Sequence, residues 1–191
     1  MSQPCVLAPV ILFGVIFGLT GRFFAVSLKY AKEKMSHFFR NPYARIGLVS
    51  IPLAIILTLL YQGRYSGLGT NLIAAAFEGQ TIFAYDWLLK ILLTILTLSI
   101  GFQGGEVTPL FFIGASLGVI VGEVFGLTPE VCAALGYAAV FGSATNTLIA
   151  PVLIGLEVFG TDNAVVLVLV CTVAYLVNGN RSIYTAQQLE C

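Results

Sequence analysis

A glycine-rich turn, GFQGGEVTP at residues 101–109, interrupts a strongly apolar part of the chain. The apolar stretch before it, at 83–101, is long enough for a spanning helix. Pro109 suits the first turn of a second helix, because its missing N–H needs no partner there. We therefore expect one long helix to end at this turn and another to begin.

The first amides of that second helix belong to Glu106, Val107 and Thr108. They have no acceptor inside the helix and lie at the positive end of its macrodipole. Gly104 and Gly105 allow the backbone to approach an ion without an intervening side chain. The turn is thus a potential anion site, and the alternative is an ordinary helix start after a glycine turn.

The composition indicates a membrane protein. Of the 191 residues 58% are hydrophobic and 9% charged, against about 45–50% and about 25% in soluble domains. Neither Lys nor Arg occurs between Lys90 and Arg181. A net charge of zero and no basic face argue against a nucleic-acid partner, and the apolar content argues against disorder. We expect the lipid bilayer as the partner.

The sequence contains no recognisable catalytic motif. The four cysteines lie far apart, without metal-ligand spacing. Nothing resembles a nucleophile with its base, a phosphate loop or a zinc motif. We expect no enzyme activity, no metal and no cofactor.

The apolar segments differ in length. Three of them, 5–28, 45–61 and 83–101, are predicted to span the bilayer. Glycine, proline, asparagine and threonine divide most of the rest into shorter pieces, at 69–78, 106–125, 129–142, 146–159 and 163–178. Broken helices in a membrane need protein or water to satisfy their backbone, and transporters use such breaks for substrate sites. Interruptions that merely accommodate packing are the alternative.

Two further patterns concern orientation and packing. Basic residues cluster between the first two long segments, so that connection is predicted to be cytoplasmic and the N-terminus to face outwards. Glycines spaced four residues apart predict close helix contacts in lipid. These are Gly114, Gly118, Gly122 and Gly126, with Gly14 and Gly18 in the first segment.

Three landmarks resemble the CLC family of chloride channels and chloride/proton antiporters. Residues 104–110, followed by Gly114 and Gly118, resemble the family's G-x-F-x-P region. Residues 150–157 resemble its A-P-L-T-x-x-x-x-x-E segment. Residues 180–184 resemble the final segment, whose tyrosine hydroxyl points at the central anion. The landmarks occur in the family's order.

The resemblance implies an all-α membrane protein with the CLC-type second inverted repeat, made of spanning, tilted and re-entrant broken helices. Residues 1–191 would be the C-terminal half of the transmembrane domain, with the first long helix at 5–36 and a terminal tyrosine helix at 181–191. The first-half motifs G-S-G-I-P and G-R-E-G-P are absent from these residues. We therefore expect a piece of a longer product, or a chain that needs a partner to supply the N-terminal half.

The family also implies a homodimer, with 146–159 and 163–178 contributing to the interface, in a bacterial inner (plasma) membrane that the chain crosses several times. A structural or assembly subunit that is inactive alone is the alternative of another class.

The resemblance assigns the central anion to the helix start at Glu106, Val107 and Thr108 and to the hydroxyl of Tyr184. Neutral donors of this kind replace water without holding an ion too tightly. For Tyr184 the alternative is an interfacial residue at a helix end.

Glu106 departs from the family pattern, in which an apolar residue is common. An ionised carboxylate there repels an anion, so it must point away, bind a proton or do both. A glutamate at this place resembles the fluoride/proton exporters, so we prefer fluoride/proton antiport to a chloride channel or chloride/proton exchanger. Helix capping is the simpler role for Glu106. Glu157 is a second proton-linked candidate, with a structural hydrogen bond as the alternative.

Overall fold

The computed structural model describes residues 4–184, apart from the side chains of 4–8 and 61–62. This part of the chain is helical, with one short 3-10 turn at Leu60–Gly63 and no strand, which confirms the all-α class. In chain order the helices are α1 (Pro4–Phe38), α2 (Pro42–Leu59), α3 (Thr70–Phe77), α4 (Asp86–Ser99), α5 (Val107–Phe125), α6 (Pro129–Thr145), α7 (Ile149–Phe159) and α8 (Ala164–Asn178).

Within the described part, α1, α2 and α5 are long and apolar enough to cross a membrane. The prediction of a spanning helix over 83–101 is wrong, because α4 has 14 residues and measures about 21 Å, less than a hydrocarbon core of about 30 Å. It begins late because the Asp86 carboxylate accepts the Phe83 amide in a preceding turn. Gly101, with φ of 108°, follows its end.

The segment at 106–125, expected among the short pieces, contains the 19-residue helix α5. Its glycines do not break it because they serve packing. A Cβ on Gly114 would lie 2.1 Å from the Gly136 oxygen, and one on Gly118 would lie 2.2 Å from the Cys132 oxygen. These distances confirm that α5 and α6 touch through backbone. Gly126 has no such role, since nothing lies within 4 Å of its Cβ position and it ends α5 with φ of 63°.

Helix α1 packs against α8 in a similar way. A Cβ on Gly14 would lie 2.6 Å from the Val173 Cβ, and one on Gly18 would lie 2.9 Å from the Ala174 Cα. The predicted role of these two glycines is therefore confirmed. Helices α1, α5, α6 and α8 enclose the main core, to which Phe17 contributes a fully buried ring.

Helix α2 stands apart from this core. Asn41 caps its start by accepting the amides of Tyr43 and Ala44, at 3.0 and 3.5 Å. Leu53 is its buried residue, and most of its other side chains are exposed. At the other end of the chain, residues 181–184 form an irregular segment after α8, and the rest of the predicted tyrosine helix lies outside the described residues.

Candidate functional site

The turn at 101–105 leads directly into the start of α5. Glu106 occupies the cap position, with φ of −85° and ψ of −23°, and Val107 begins the helix. Within residues 4–184, the amides of Glu106, Val107 and Thr108 donate to no protein acceptor. Pro109 comes next and has no N–H. The predicted cluster of free amides is therefore formed, and its binding of an anion stays a prediction.

Two cavities flank this turn. One is open, has a volume of about 590 Å³ and is lined by Lys32, Gln103, Gly104, Gly105 and Glu106 with three apolar or small neighbours. The other, of about 300 Å³, runs from the same two glycines along α4. The nearest side-chain atom to a Cβ on Gly104 would be 4.0 Å away, and on Gly105 3.6 Å away. Crowding does not require these glycines, and their lack of side chains leaves the backbone accessible from the cavities.

The polar contact of the Glu106 side chain is with α1. The favourable effect of a negative charge at a helix start stays the alternative role for Glu106. Its carboxylate makes no hydrogen bond to the α5 amides. Its Oε1 instead accepts a hydrogen bond from Lys32 Nζ of α1 at 2.8 Å. The Glu106 side chain is 14% exposed and that of Lys32 is 43% exposed. The carboxylate also lies close enough to Tyr184 for the two side chains to interact electrostatically.

Tyr184 is held by the end of α6. The Ile183 amide donates to the Ala144 oxygen at 2.9 Å, and the Ser182 hydroxyl donates to the Thr145 oxygen at 3.0 Å. The same hydroxyl oxygen accepts the Tyr184 amide at 3.1 Å. These bonds hold Tyr184 near the carboxylate of Glu106, and its role as an anion ligand stays a prediction.

Three asparagines fix the chain before the segment at 181–184. Asn146 and Asn180 adopt positive φ angles of 55° and 61°. The Asn146 amide donates to Asn180 Oδ1 at 2.8 Å, and the buried Asn178 amide donates to Asn146 Oδ1 at 3.1 Å and to the Arg181 oxygen at 2.6 Å. Sequence reasoning did not identify this network, although asparagine ranks second only to glycine in how readily it adopts a positive φ.

Glu157 is separate from this arrangement. It is exposed on α7, which packs against α6 and α8. Within the described residues it forms neither an ion pair nor the structural hydrogen bond that we considered. A proton-linked role for Glu157 stays a prediction, without support from a contact to Glu106.

A buried polar cluster links α4 to the connection after α2. Lys90, 2% exposed, donates to the Tyr65 and Gly67 oxygens, both at 2.9 Å. Asp86, fully buried, accepts from the Tyr65 hydroxyl and, at 3.0 Å, from Arg64. Burial and then the bond to Asp86 raise the pKa of the Tyr65 hydroxyl. Asp86 and Lys90 lie four positions apart, which suggests an ion pair between them. Each instead binds the connection after α2, at residues 64–67.

Helices that can cross a membrane, shorter helices and a polar turn between α4 and α5 are the features of an integral membrane protein with broken helices. The sequence profile of the voltage gated chloride channel family matches residues 2–179. The chain belongs to this family, whose members include channels and transporters.

Two relatives are similar over almost the whole chain. One is a "Chloride/fluoride channel protein" of Pseudomonas syringae pv. tomato, 34% identical over 186 residues, which cover 94% of this chain and 41% of that protein. The other is the crystal structure of a CLC-type fluoride/proton antiporter, 53% identical, with a TM-score of 0.96 over 100% of this chain and 48% of that one. The chain therefore spans less than half the length of either relative.

A more distant structure shows the same fold. It is a slow cyanobacterial Cl⁻/H⁺ antiporter, 23% identical, with a TM-score of 0.73 over 93% of this chain and 47% of that one.

Proposed function

We propose that this chain forms one half of a CLC-type anion/proton antiporter that prefers fluoride to chloride. The observation that carries the proposal is the meeting of three features at one turn: free amides at the α5 start, the Glu106 carboxylate and the segment that holds Tyr184. The 53% identical relative, a fluoride/proton antiporter, supports the choice of ion.

In this proposal the amides of Glu106, Val107 and Thr108 and the Tyr184 hydroxyl replace water around the anion. Each of these ligands is a neutral donor, so none of them binds the ion as tightly as a full charge would. Glu106 repels the anion when ionised, and when protonated it becomes a hydrogen-bond donor. Fluoride, as a small and strongly hydrated ion, gains most from such a donor, and binding of the anion is thereby coupled to a proton.

The second half of the transport path comes from outside residues 1–191 in this proposal, either from a longer product or from a partner chain. The match to 48% of the fluoride/proton antiporter supports that division. Fluoride or chloride and protons are then the transported ions, and no resident cofactor is involved.

We further propose a homodimer in a bacterial inner membrane. Helices α7 and α8 support an interface because they expose large apolar side chains: Ile149, Leu153, Val158, Val165 and Leu176. The bacterial source of the 34% identical relative supports the membrane. Cross-linking in vesicles through cysteines introduced at Ile149 and Val165 should trap a dimer, and a monomer at all protein-to-lipid ratios would contradict it.

The test is ion efflux from vesicles that contain the chain alone, or the chain together with the first half of the fluoride/proton antiporter. We expect fluoride efflux faster than chloride efflux and accompanied by protons. Glu106→Gln should abolish proton coupling or the fluoride preference. Glu123→Gln is the matched control, because Glu123 is exposed near the other end of the same helix.

The outcomes separate the alternatives. Efflux only in the combined vesicles would show that this chain needs the first half in order to transport. Efflux from neither kind of vesicle would contradict transport by this chain. The name of the 34% identical relative includes chloride and a channel. Chloride efflux without protons, unchanged by Glu106→Gln, would support that second function.

A further inference from the structure

The ion pair between Lys32 and Glu106 brings a full positive charge to the candidate anion site. The chain carries neither Lys nor Arg from 91 to 180, so the elements that form the turn and α5 supply no cation themselves. Helix α1 supplies the cation, because α1 continues to Phe38 and its C-terminal part passes beside the glycine-rich turn. Lys32 and Glu106 line the same open cavity as Gly104 and Gly105.

The other charged and titratable groups near this turn have different roles. Tyr184 lies close to the Glu106 carboxylate and belongs to the proposed anion ligands. Arg45 of α2 donates from Nε to the Ile100 oxygen at 2.9 Å, at the opposite end of the turn. Lys34, on α1 like Lys32, lies over the Tyr30 ring at 5.6 Å. Lys32 is therefore the cation that contacts Glu106.

The charges of the site balance in two states. In the structure, ionised Glu106 and Lys32 form a neutral pair. If Glu106 takes up a proton and an anion binds at the α5 start, the Lys32 charge balances the anion and the total is again zero. Without Lys32 both states carry one net negative charge, and in the second state that charge lies on the anion, where only the partial charge of a helix start, about half a unit, opposes it. Lys32 thus lowers the electrostatic cost of binding an anion once Glu106 is protonated.

We propose that Lys32 is a positioning and affinity residue of the anion site: it holds the ionised Glu106 carboxylate in the open cavity, away from the α5 amides, and balances the anion once Glu106 is protonated. This inference rests on the proposed function and adds to it a named counter-charge. No covalent step is involved, since one ion pair loosens and one proton and one anion bind.

The first experiment measures the ion pair without transport. Infrared difference spectra of the full chain in lipid nanodiscs, with Glu106→Gln as the reference, isolate the carboxylate band of Glu106. Lys32→Gln should shift this band, Lys32→Arg should largely restore it, and the matched control Lys34→Gln should leave it in place. A band that Lys32→Gln does not move would overturn the positioning role. The fold should survive each change, because partly exposed ion pairs contribute little to stability.

The second experiment measures the anion, with sodium fluoride and sodium chloride as the probes in vesicles that show efflux. At a pH low enough to protonate Glu106, Lys32→Gln should raise the KM for fluoride about fivefold to tenfold, the value of one charge at about 4 Å in a largely aqueous cavity. The maximal rate should change less, Lys32→Arg should recover most of the KM, and Lys34→Gln should behave as wild type. An unchanged KM with intact efflux would overturn the affinity role.

The proposed function and the role of Lys32 are distinguished by different outcomes. Wild-type vesicles without efflux would overturn the proposed function and, with it, the affinity role of Lys32, whereas a shifted carboxylate band would still support positioning. Efflux that persists with neither a band shift nor a KM change in Lys32→Gln would overturn the role of Lys32 alone.

Discussion

Replacing Gly114 by alanine should separate α5 from α6. It should thereby disturb both parts of the candidate site, the amides at the α5 start and the Tyr184 segment held by α6. The added Cβ would lie 2.1 Å from the Gly136 oxygen, whereas a carbon–oxygen contact needs about 3.3 Å. The two helices must therefore move apart by roughly 1.2 Å, given that contact distance. The obstacle is backbone and not a flexible side chain, so a rotamer change cannot relieve it.

The cost follows from the loss of packing along this contact. A gap of about 0.5–1 Å forfeits a quarter to a half of the dispersion energy of each atom pair, and overpacked cores lose about 1–3 kcal/mol. We expect the upper value, about 3 kcal/mol, because the facing Gly136 is equally tight, with its Cβ position 2.2 Å from the Gly114 oxygen. At about 2–4 °C per kcal/mol for a chain of this size, the melting midpoint should fall by about 6–12 °C.

The assay is thermal unfolding in detergent, together with thiol labelling of Cys132. Cys132 is 2% exposed at the same contact, so its labelling should become faster when the helices separate. Gly47→Ala is the matched control, because nothing lies within 4 Å of its Cβ position in α2. A midpoint for Gly114→Ala within about 2 °C of that control, with Cys132 still protected, would refute the reasoning.

Three further changes test other parts of the fold. Asp86→Asn should destabilise the chain by about 2–3 kcal/mol, because it leaves the Arg64 guanidinium, 24% exposed, without its counter-charge; thermal unfolding measures the loss, and a wild-type midpoint would contradict it. Ser182→Ala removes the hydroxyl between Thr145 and Tyr184, so hydrogen exchange at the Ile183 amide should accelerate about 5- to 30-fold, the equivalent of about 1–2 kcal/mol; unchanged exchange would show that other bonds hold the segment. Asn41→Ala should cost about 1 kcal/mol through loss of the α2 cap, and an equal loss in Asn41→Gly would argue against a capping role, since glycine is nearly as good a cap.

The helix prediction at the centre of the sequence failed in an informative way. Apolar length favoured 83–101 as a spanning helix, and the glycines and other interrupting residues placed 106–125 among the shorter pieces. Asp86 binds back into the preceding turn and shortens α4. The glycines of α5 lie against α6, where their missing side chains stabilise close contact instead of ending the helix. Local composition does not distinguish these two uses of polar and small residues, because the partner surface decides between them.

The sequence by itself determined the membrane class, the family resemblance and the turn at which an anion would meet free amides. These follow from local properties: apolar length, the glycine turn and the position of Pro109. The tertiary structure alone decided that Lys32 pairs with Glu106, 74 positions away, and that the end of α6 holds the segment with Tyr184. Such contacts depend on how α1, α5 and α6 pack, and the spacing of residues along the chain does not say which helices pack against one another.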